Sequence, residues 1–394
     1  MDIDILLGMI YFYTQGVCSP DGSFIYGVPG HAKRVLRVNT STNEMDFIGP
    51  IFPGEFKWLR GVDIPAEVME GAMVKEYPKG CCIALPSNQR SILKINCHTQ
   101  EVTTFGKTCE EGWLYHGGNL TVDGFVYAIP ANATRVLKID PRNDTIEYIG
   151  PTFEGLQKWF GGILGSDGCV YGIPQNAARV LKINPFTQEC SLIGKDLGDG
   201  KWKWHGGTSI NGGKQILGFP NNEDCVLVID VEKQQVFTIG DSNLLKSGRH
   251  RIPQDGRYKW LGGAVTLNGR FSYLFPCDAE RVLRIDNETF ELSLVGPELL
   301  EGENKYQNGF VSKDGCVYGI PQRASGVLRV IPGYLLGNEV NDQVDVLYCG
   351  DEKVNVKDKF EGGVIDPKKG EIYCIPLRAK TLMKVVPTEN VSIG

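Results

Sequence analysis

The sequence predicts an all-β repeat fold: a single β-propeller domain over residues 1–394, with eight blades of four antiparallel strands. Three observations carry this. A proline ends a short apolar run eight times, at Pro29, Pro86, Pro130, Pro174, Pro220, Pro276, Pro321 and Pro376, with spacings of 57, 44, 44, 46, 56, 45 and 55 residues. A second apolar run follows each proline: VLRV from Val35, ILKI from Ile92, VLKI from Val136 and Val180, VLVI from Val226, VLRI from Val282, VLRV from Val327 and LMKV from Leu382. An aromatic opens every copy, at Tyr13, Trp58, Tyr115, Trp159, Trp204, Trp260, Tyr306 and Phe360, and one or two glycines follow close behind it. The period is that of propeller blades and exceeds that of most solenoids. Eight copies account for the whole chain, whereas a seven-bladed ring, the alternative, leaves one copy over.

The stretch Lys158 to Gly194 shows the unit in full. The first strand starts at the aromatic Trp159, passes Gly161 and Gly162, and runs to an Asp167-Gly168 turn, whose glycine suits the positive φ of a tight hairpin. The same turn recurs at Asp21, Asp123 and Asp314, with Asn211 and Asn268 as variants, and its role is structural. The second strand, Val170 to Pro174, ends where proline removes a ladder donor. The third, Val180 to Ile183, is apolar on both faces, as a strand packed between two neighbouring sheets must be. Its recurring Arg or Lys is expected to lay its stem along the next sheet and send its charge to the edge or to a carboxylate. The fourth ends at Ile193-Gly194.

Three long spacings mark insertions: Ile64 to Tyr77, whose AEVMEGAMVKE reads as a short helix; Asp241 to Tyr258, locally basic with Lys246, Arg249, His250, Arg251 and Arg257; and Pro332 to Asp345. Such loops are where recognition varies on a common scaffold. For closure, Asp2 to Gly8 reads as an outermost strand that pairs into the last blade beside, or instead of, Glu389 to Ile393.

The charge balance, 41 basic against 47 acidic residues, gives a net −6, so no overall field draws nucleic acid or an anionic membrane. There is no apolar run of membrane-spanning length. The acidic start, Asp2 and Asp4, does not read as a secretory signal, so the expected location is the cytoplasm. Of the 12 cysteines, Cys81, Cys169 and Cys316 occupy the same repeat position, too far apart in a propeller to bridge, and are expected to be reduced and buried.

The segment GGILGSDGCVYGIPQNAARVLKINP, Gly161 to Pro185, resembles the repeat of NHL-type propellers and of the regucalcin and gluconolactonase-like superfamily. The order of inner strand, Asp/Asn-Gly turn, tyrosine-bearing second strand and Arg/Lys-bearing third strand is shared. The Lys-aromatic-x-Gly-Gly opening and the Tyr-Gly-Ile-Pro strand end depart from it, so no subfamily is assigned. The lactonase-like members imply a divalent cation held by acidic and amide residues of inner strands. Here those strands are mostly Val, Leu, Ala, Thr and Ser, and that ligand set does not map onto them.

Two constellations remain. Six openings carry a lysine before the aromatic, Lys57, Lys158, Lys203, Lys259, Lys305 and Lys359. Neighbours in an extended chain point opposite ways, so these lysines are expected to face outward, either merely solvated or as a cationic collar for an anionic small molecule or an acidic partner segment. The residue after the aromatic varies between blades, as a ligand-reading position does, and includes His116, His205, Gln307 and Glu361. No nucleophile elbow, phosphate loop or zinc-protease motif is present. The expected function is therefore a non-catalytic binding or scaffold propeller without a cofactor, recognising a protein partner or an anionic ligand through the face of the openings. The alternative is a metal-dependent hydrolase or lactonase, holding Ca or Zn at the channel mouth near His116, His205 and Glu361.

Overall fold

The computed structural model describes residues 2–6, 12–69, 77–200, 202–240, 242–246, 258–300, 302–338, 341–348 and 355–387. It is an eight-bladed β-propeller: eight four-stranded antiparallel sheets, each ordered as the chain runs except the last. Two compact units hold four blades each. The unit Ile10–Asp199 contains blades one to four, which open at Tyr13, Trp58, Tyr115 and Trp159. The other, Gly200–Gly394 with Met1–Met9, contains blades five to eight, which open at Trp204, Trp260, Tyr306 and Phe360.

Strand β1, Asp2–Leu6, is the outermost strand of blade eight and pairs antiparallel with β32, Leu382–Val386, from Asp2 opposite Val386 to Leu6 opposite Leu382. The first of the two closure candidates thus takes the edge. The second, Glu389 to Ile393, lies outside the described residues. Of the insertions, Ala66–Met69 forms one 3-10 turn and Gly333–Leu336 another, while residues 70–76 and the basic positions 249–251 and 257 also lie outside the described residues. Among the described residues no helix is long and apolar enough to cross a membrane.

Sheet stacking makes the cores. Second and third strands are buried along both faces, as in Val126–Pro130 and Val136–Asp140. The third-strand cations behave as their sequence suggests: Lys94 reaches Asp144 of the next blade at 2.7 Å, Arg284 reaches Asp342 at 3.1 Å, and Arg329 pairs with Asp345 across its own hairpin at 2.6 Å. The turn aspartates are structural as well. Asp123, Asp167 and Asp314 each accept the amide two residues on with one carboxylate oxygen. The other oxygen accepts the hydroxyl of Tyr127, Tyr171 or Tyr318. The described cysteines are free thiols, and Cys81, Cys169 and Cys316 are buried.

Candidate functional site

Each residue of the blade opening has a separate physical reason. The tryptophans wedge between sheets, fully buried, and their indole N–H groups donate to a carbonyl at or just before the start of the third strand: Trp58 to Ser91, Trp159 to Arg179, Trp204 to Cys225 and Trp260 to Arg281, at 2.7–3.0 Å. The glycines allow adjacent inner strands to touch. Gly117, at φ +96, has no room for a Cβ, which would overlap the Gly161 carbonyl. A Cβ on Gly162 would sit 2.7 Å from the Gly118 nitrogen.

The lysines are the main correction to the sequence reading. Lys57, Lys158, Lys203, Lys259, Lys305 and Lys359 do not face solvent; all six are 0–5% exposed. The Lys57 ammonium donates to the carbonyls of Gly30, Ala32 and Gly54 at 2.9–3.0 Å. Lys158 repeats this with Ala131, Ala133 and Gly155. Lys259 donates to Asp224 at 2.6 Å and to the Leu245 carbonyl. Lys203, Lys305 and Lys359 donate to the carbonyls of Gly200, Gly302 and Ala324. In blades two and four the lysine thus staples the post-proline loop of the preceding blade to its own opening loop. The alternation that turns it away from the aromatic turns it into a cup of carbonyls, which suits an ammonium with three donors. Burial pulls the Lys57 and Lys158 ammonium groups down to about 8, against an opposing pull from Glu55 on Lys57 and from Glu110 and Glu154 on Lys158.

What this face presents instead is a set of rings. In the unit Ile10–Asp199 they form an unbroken row. Phe12 stacks on His31 at 5.2 Å, His31 meets Phe56 edge-on at 4.2 Å, and Phe56 lies 5.1 Å from Trp113. Trp113 stacks with His116 at 6.4 Å, and His116 meets Phe160 edge-on at 4.1 Å. Phe12, His31, Phe56, Trp113 and His116 are half-buried and Phe160 is buried, an amphipathic surface of the kind that supplies anchors at interfaces. Burial holds the His31 imidazole below its ordinary value, against an opposing pull from Glu55.

In the unit Gly200–Gly394 the corresponding residues are more polar. Tyr258 contacts His205 at 5.0 Å and Trp202 at 6.3 Å, both edge-on. Glu361 is half-buried, and its carboxyl is raised to about 7, first by burial and then by Asp358. The Tyr258 hydroxyl is raised by burial, with further pushes from Cys277, Glu361 and Asp278. Asn308, next to Gln307, donates to the Glu361 backbone carbonyl at 3.3 Å. Arg323 bridges Asp358 at 2.6 Å and Glu303 at 3.2 Å. Of these residues the structure brings His205 against Tyr258, and it brings Asn308, the residue after Gln307, to the Glu361 backbone. Among the described residues no group of three or more His, Cys, Asp or Glu is placed to hold a metal ion.

Sequence reasoning found the varying position after the aromatic but passed over the one two residues before it, where Phe56, Trp113, Trp202 and Tyr258 stand. Their recurrence as rings ahead of these four openings was the available signal.

No protein-family model matches the chain, and no curated protein sequence does. Solved structures do match in fold. A streptogramin B lyase aligns over 97% of this chain and 96% of its own, at 11% identity and a TM-score of 0.56. A virginiamycin B lyase from Staphylococcus aureus aligns over 98% and 99%, at 10% identity and 0.56. The WD40 repeats of RRP9 align over 82% and 91%, at 14% identity and 0.55. The chain is thus a β-propeller protein, similar in architecture to an enzyme and to a WD40 repeat domain alike. Identities this low speak to fold alone.

Proposed function

We propose that residues 1–394 act as one binding propeller, non-catalytic, that recognises a protein partner through the face of the blade openings. The observation that carries this reading is the row of rings from Phe12 to Phe160, five of its six members half-buried. Half-buried aromatic and histidine rings pre-fixed by mutual packing lose little conformational freedom on docking, which is why such residues dominate binding hot spots. The buried lysines support a peptide or protein ligand over a polyanion, because their charges are already engaged by carbonyls. The free thiols fit the expected cytoplasmic setting. The test is capture from an extract of the source cells with the native chain and with a Phe56→Ser/Trp113→Ser variant of unchanged circular dichroism, followed by reconstitution with the purified partner. Stoichiometric binding lost in the variant supports the reading; a partner bound equally by both forms refutes it.

A second reading, a hydrolase, draws on Glu361, whose carboxyl near 7 suits general acid–base work. Elemental analysis of the purified protein and a screen of lactone and ester substrates, repeated with Glu361→Gln, test it. Turnover abolished by that substitution would favour an enzyme.

A further inference from the structure

We propose that Cys82 and Cys97, two buried thiols of blade two, form an oxidation site that closes to a disulfide when hydrogen peroxide reaches it and reopens on reduction. Their sulfurs lie 3.8 Å apart. Cys82 stands on the second strand Cys81–Pro86, opposite Ile95 of the third strand Ser91–Asn96. Cys97 follows Ile95 by two residues and packs in the same core cluster as Cys82 and Ile95. Its amide donates to the Gly80 carbonyl at 3.2 Å, so the backbone holds the second thiol over the first. The step from that separation to the ~2.05 Å of a disulfide is short enough for side-chain rotation and a small shift of the turn to supply.

The repeat shows that this pairing is particular to blade two. The residue that follows the third strand is anchored in the same way in blades one, two, five and six, where Thr40, Cys97, Val231 and Asn287 donate to the carbonyls of Ser23, Gly80, Lys214 and Arg270. The two positions are therefore equivalent from blade to blade and stand 15 residues apart. In blade six they hold Ser272 and Asn287, whose side chains share a hydrogen bond at 2.8 Å, so this place brings two polar groups into contact. In the six blades other than two and six, the first position is isoleucine or valine and the second threonine, proline or valine, as in Val126 and Pro141. Blade two alone has a thiol at both.

Access comes from the turn that Cys97 begins. His98 and Thr99 are exposed, and their amides donate to the Asn96 side chain. Such a turn opens at lower free energy than a core strand, so Cys97 meets the oxidant first. Its thiolate sulfur attacks one peroxide oxygen and the O–O bond breaks, leaving a sulfenic acid on Cys97 and one water. Burial holds the Cys82 thiol well above its ordinary value, which suits it to the second step. The Cys82 sulfur gives up its proton and attacks the Cys97 sulfur, the S–O bond breaks, and a second water leaves. Two thiols have lost two electrons and two protons, and the peroxide has taken them up as water. The bond ties the second strand to the turn above it, in a core cluster that includes Val17 and Tyr26 of blade one. The site stands whether or not the ring-lined face docks a protein.

The repeat also supplies the variants. Cys82→Val and Cys97→Thr install residues that other blades carry at these positions, and Cys81→Ser is the control. The Cys81 sulfur turns to Met69 at 3.9 Å, within a different core cluster. The folded full chain is treated with graded hydrogen peroxide, its remaining thiols are alkylated in denaturant, and its peptides are mapped without reduction. The expected result is a linked pair of peptides carrying Cys82 and Cys97, lighter by two hydrogens, that dithiothreitol separates. The link survives in Cys81→Ser and is lost in Cys82→Val and Cys97→Thr. The oxidised native chain melts above the reduced one, and neither single variant shows that rise. Three outcomes overturn the proposal: both cysteines recovered alkylated after oxidation, a link that disappears in Cys81→Ser, or a link that forms only once the chain is unfolded in urea.

Discussion

Replacing Lys158 with methionine tests the stapling of blades directly. Methionine keeps the length of the stem but removes an ammonium that donates to three carbonyls at 2.9–3.0 Å. Hydrogen bonds to a charged donor contribute about 1.5–3 kcal/mol each, so three make roughly 5–9 kcal/mol. Against this stands the desolvation of the charge. The fall of the Lys158 ammonium to about 8 corresponds to about 3 kcal/mol at neutral pH, which the substitution relieves. The Ala131 carbonyl keeps the Lys158 backbone amide at 3.0 Å, so the loss falls mainly on Ala133 and Gly155 and sits toward the low end. The net expectation is a loss of about 2–5 kcal/mol. Guanidinium unfolding followed by tryptophan fluorescence reads it, because Trp159 adjoins the substituted residue. Lys33→Met, at an exposed lysine of the same unit, serves as the control and should stay within about 0.5 kcal/mol of the native chain. A Lys158→Met protein as stable as the control would mean that the ammonium is not held by those carbonyls, and the outward-facing collar would return as the better account.

Other consequences are as definite. Because the Glu361 carboxyl sits near 7 in the folded state and near 4.5 when unfolded, the folded protein keeps a proton the unfolded chain gives up between those values, and stability falls as pH rises through that window. Glu361→Gln removes this loss, so its melting advantage over the native chain should grow from pH 5 to pH 8, toward at most about 3 kcal/mol; a pH-independent difference would contradict the assignment. Gly117→Ala places a methyl against the Gly161 carbonyl at a positive φ and should cost about 2–4 kcal/mol in a thermal melt; a neutral result would show that the inner strands do not meet there. Cys109 is the exposed one of the described thiols, whereas burial pushes Cys81 and Cys316 up to about 12. A thiol reagent under native conditions should lose its fast phase in Cys109→Ser, and a fast phase of undiminished amplitude would refute that.

The architecture was legible because each blade is a local event. Strand, turn and strand follow within about 49 residues, and glycine, proline and Asp-Gly punctuate them at fixed offsets. The third-strand cations were legible for the same reason, since their carboxylates lie across a hairpin or in the adjoining sheet. The lysines were not. Alternation correctly turned Lys57 and Lys158 away from their tryptophans, but what occupies that side is the post-proline loop of the preceding blade, and no pattern within one repeat states where a neighbour's carbonyls fall. Of the ring-bearing face, His116, His205, Gln307 and Glu361 stood out by breaking the repeat. Phe56 and Trp113 did not, because they lie upstream of the aromatic that marks the unit.

The pairing of Asp2–Leu6 with Leu382–Val386 sets the order in which this protein is finished on the ribosome. This strand is made before blade one yet completes blade eight, so it waits with an unpaired edge while the intervening chain is synthesised, about 20–75 s at ordinary elongation rates. Blades one to seven have all their strands by then, and blade eight alone depends on a segment that has been idle throughout. A bulky fusion ahead of Asp2 interferes with that last step rather than with any earlier one, and the waiting segment is the natural place for a chaperone or an assembly partner to act.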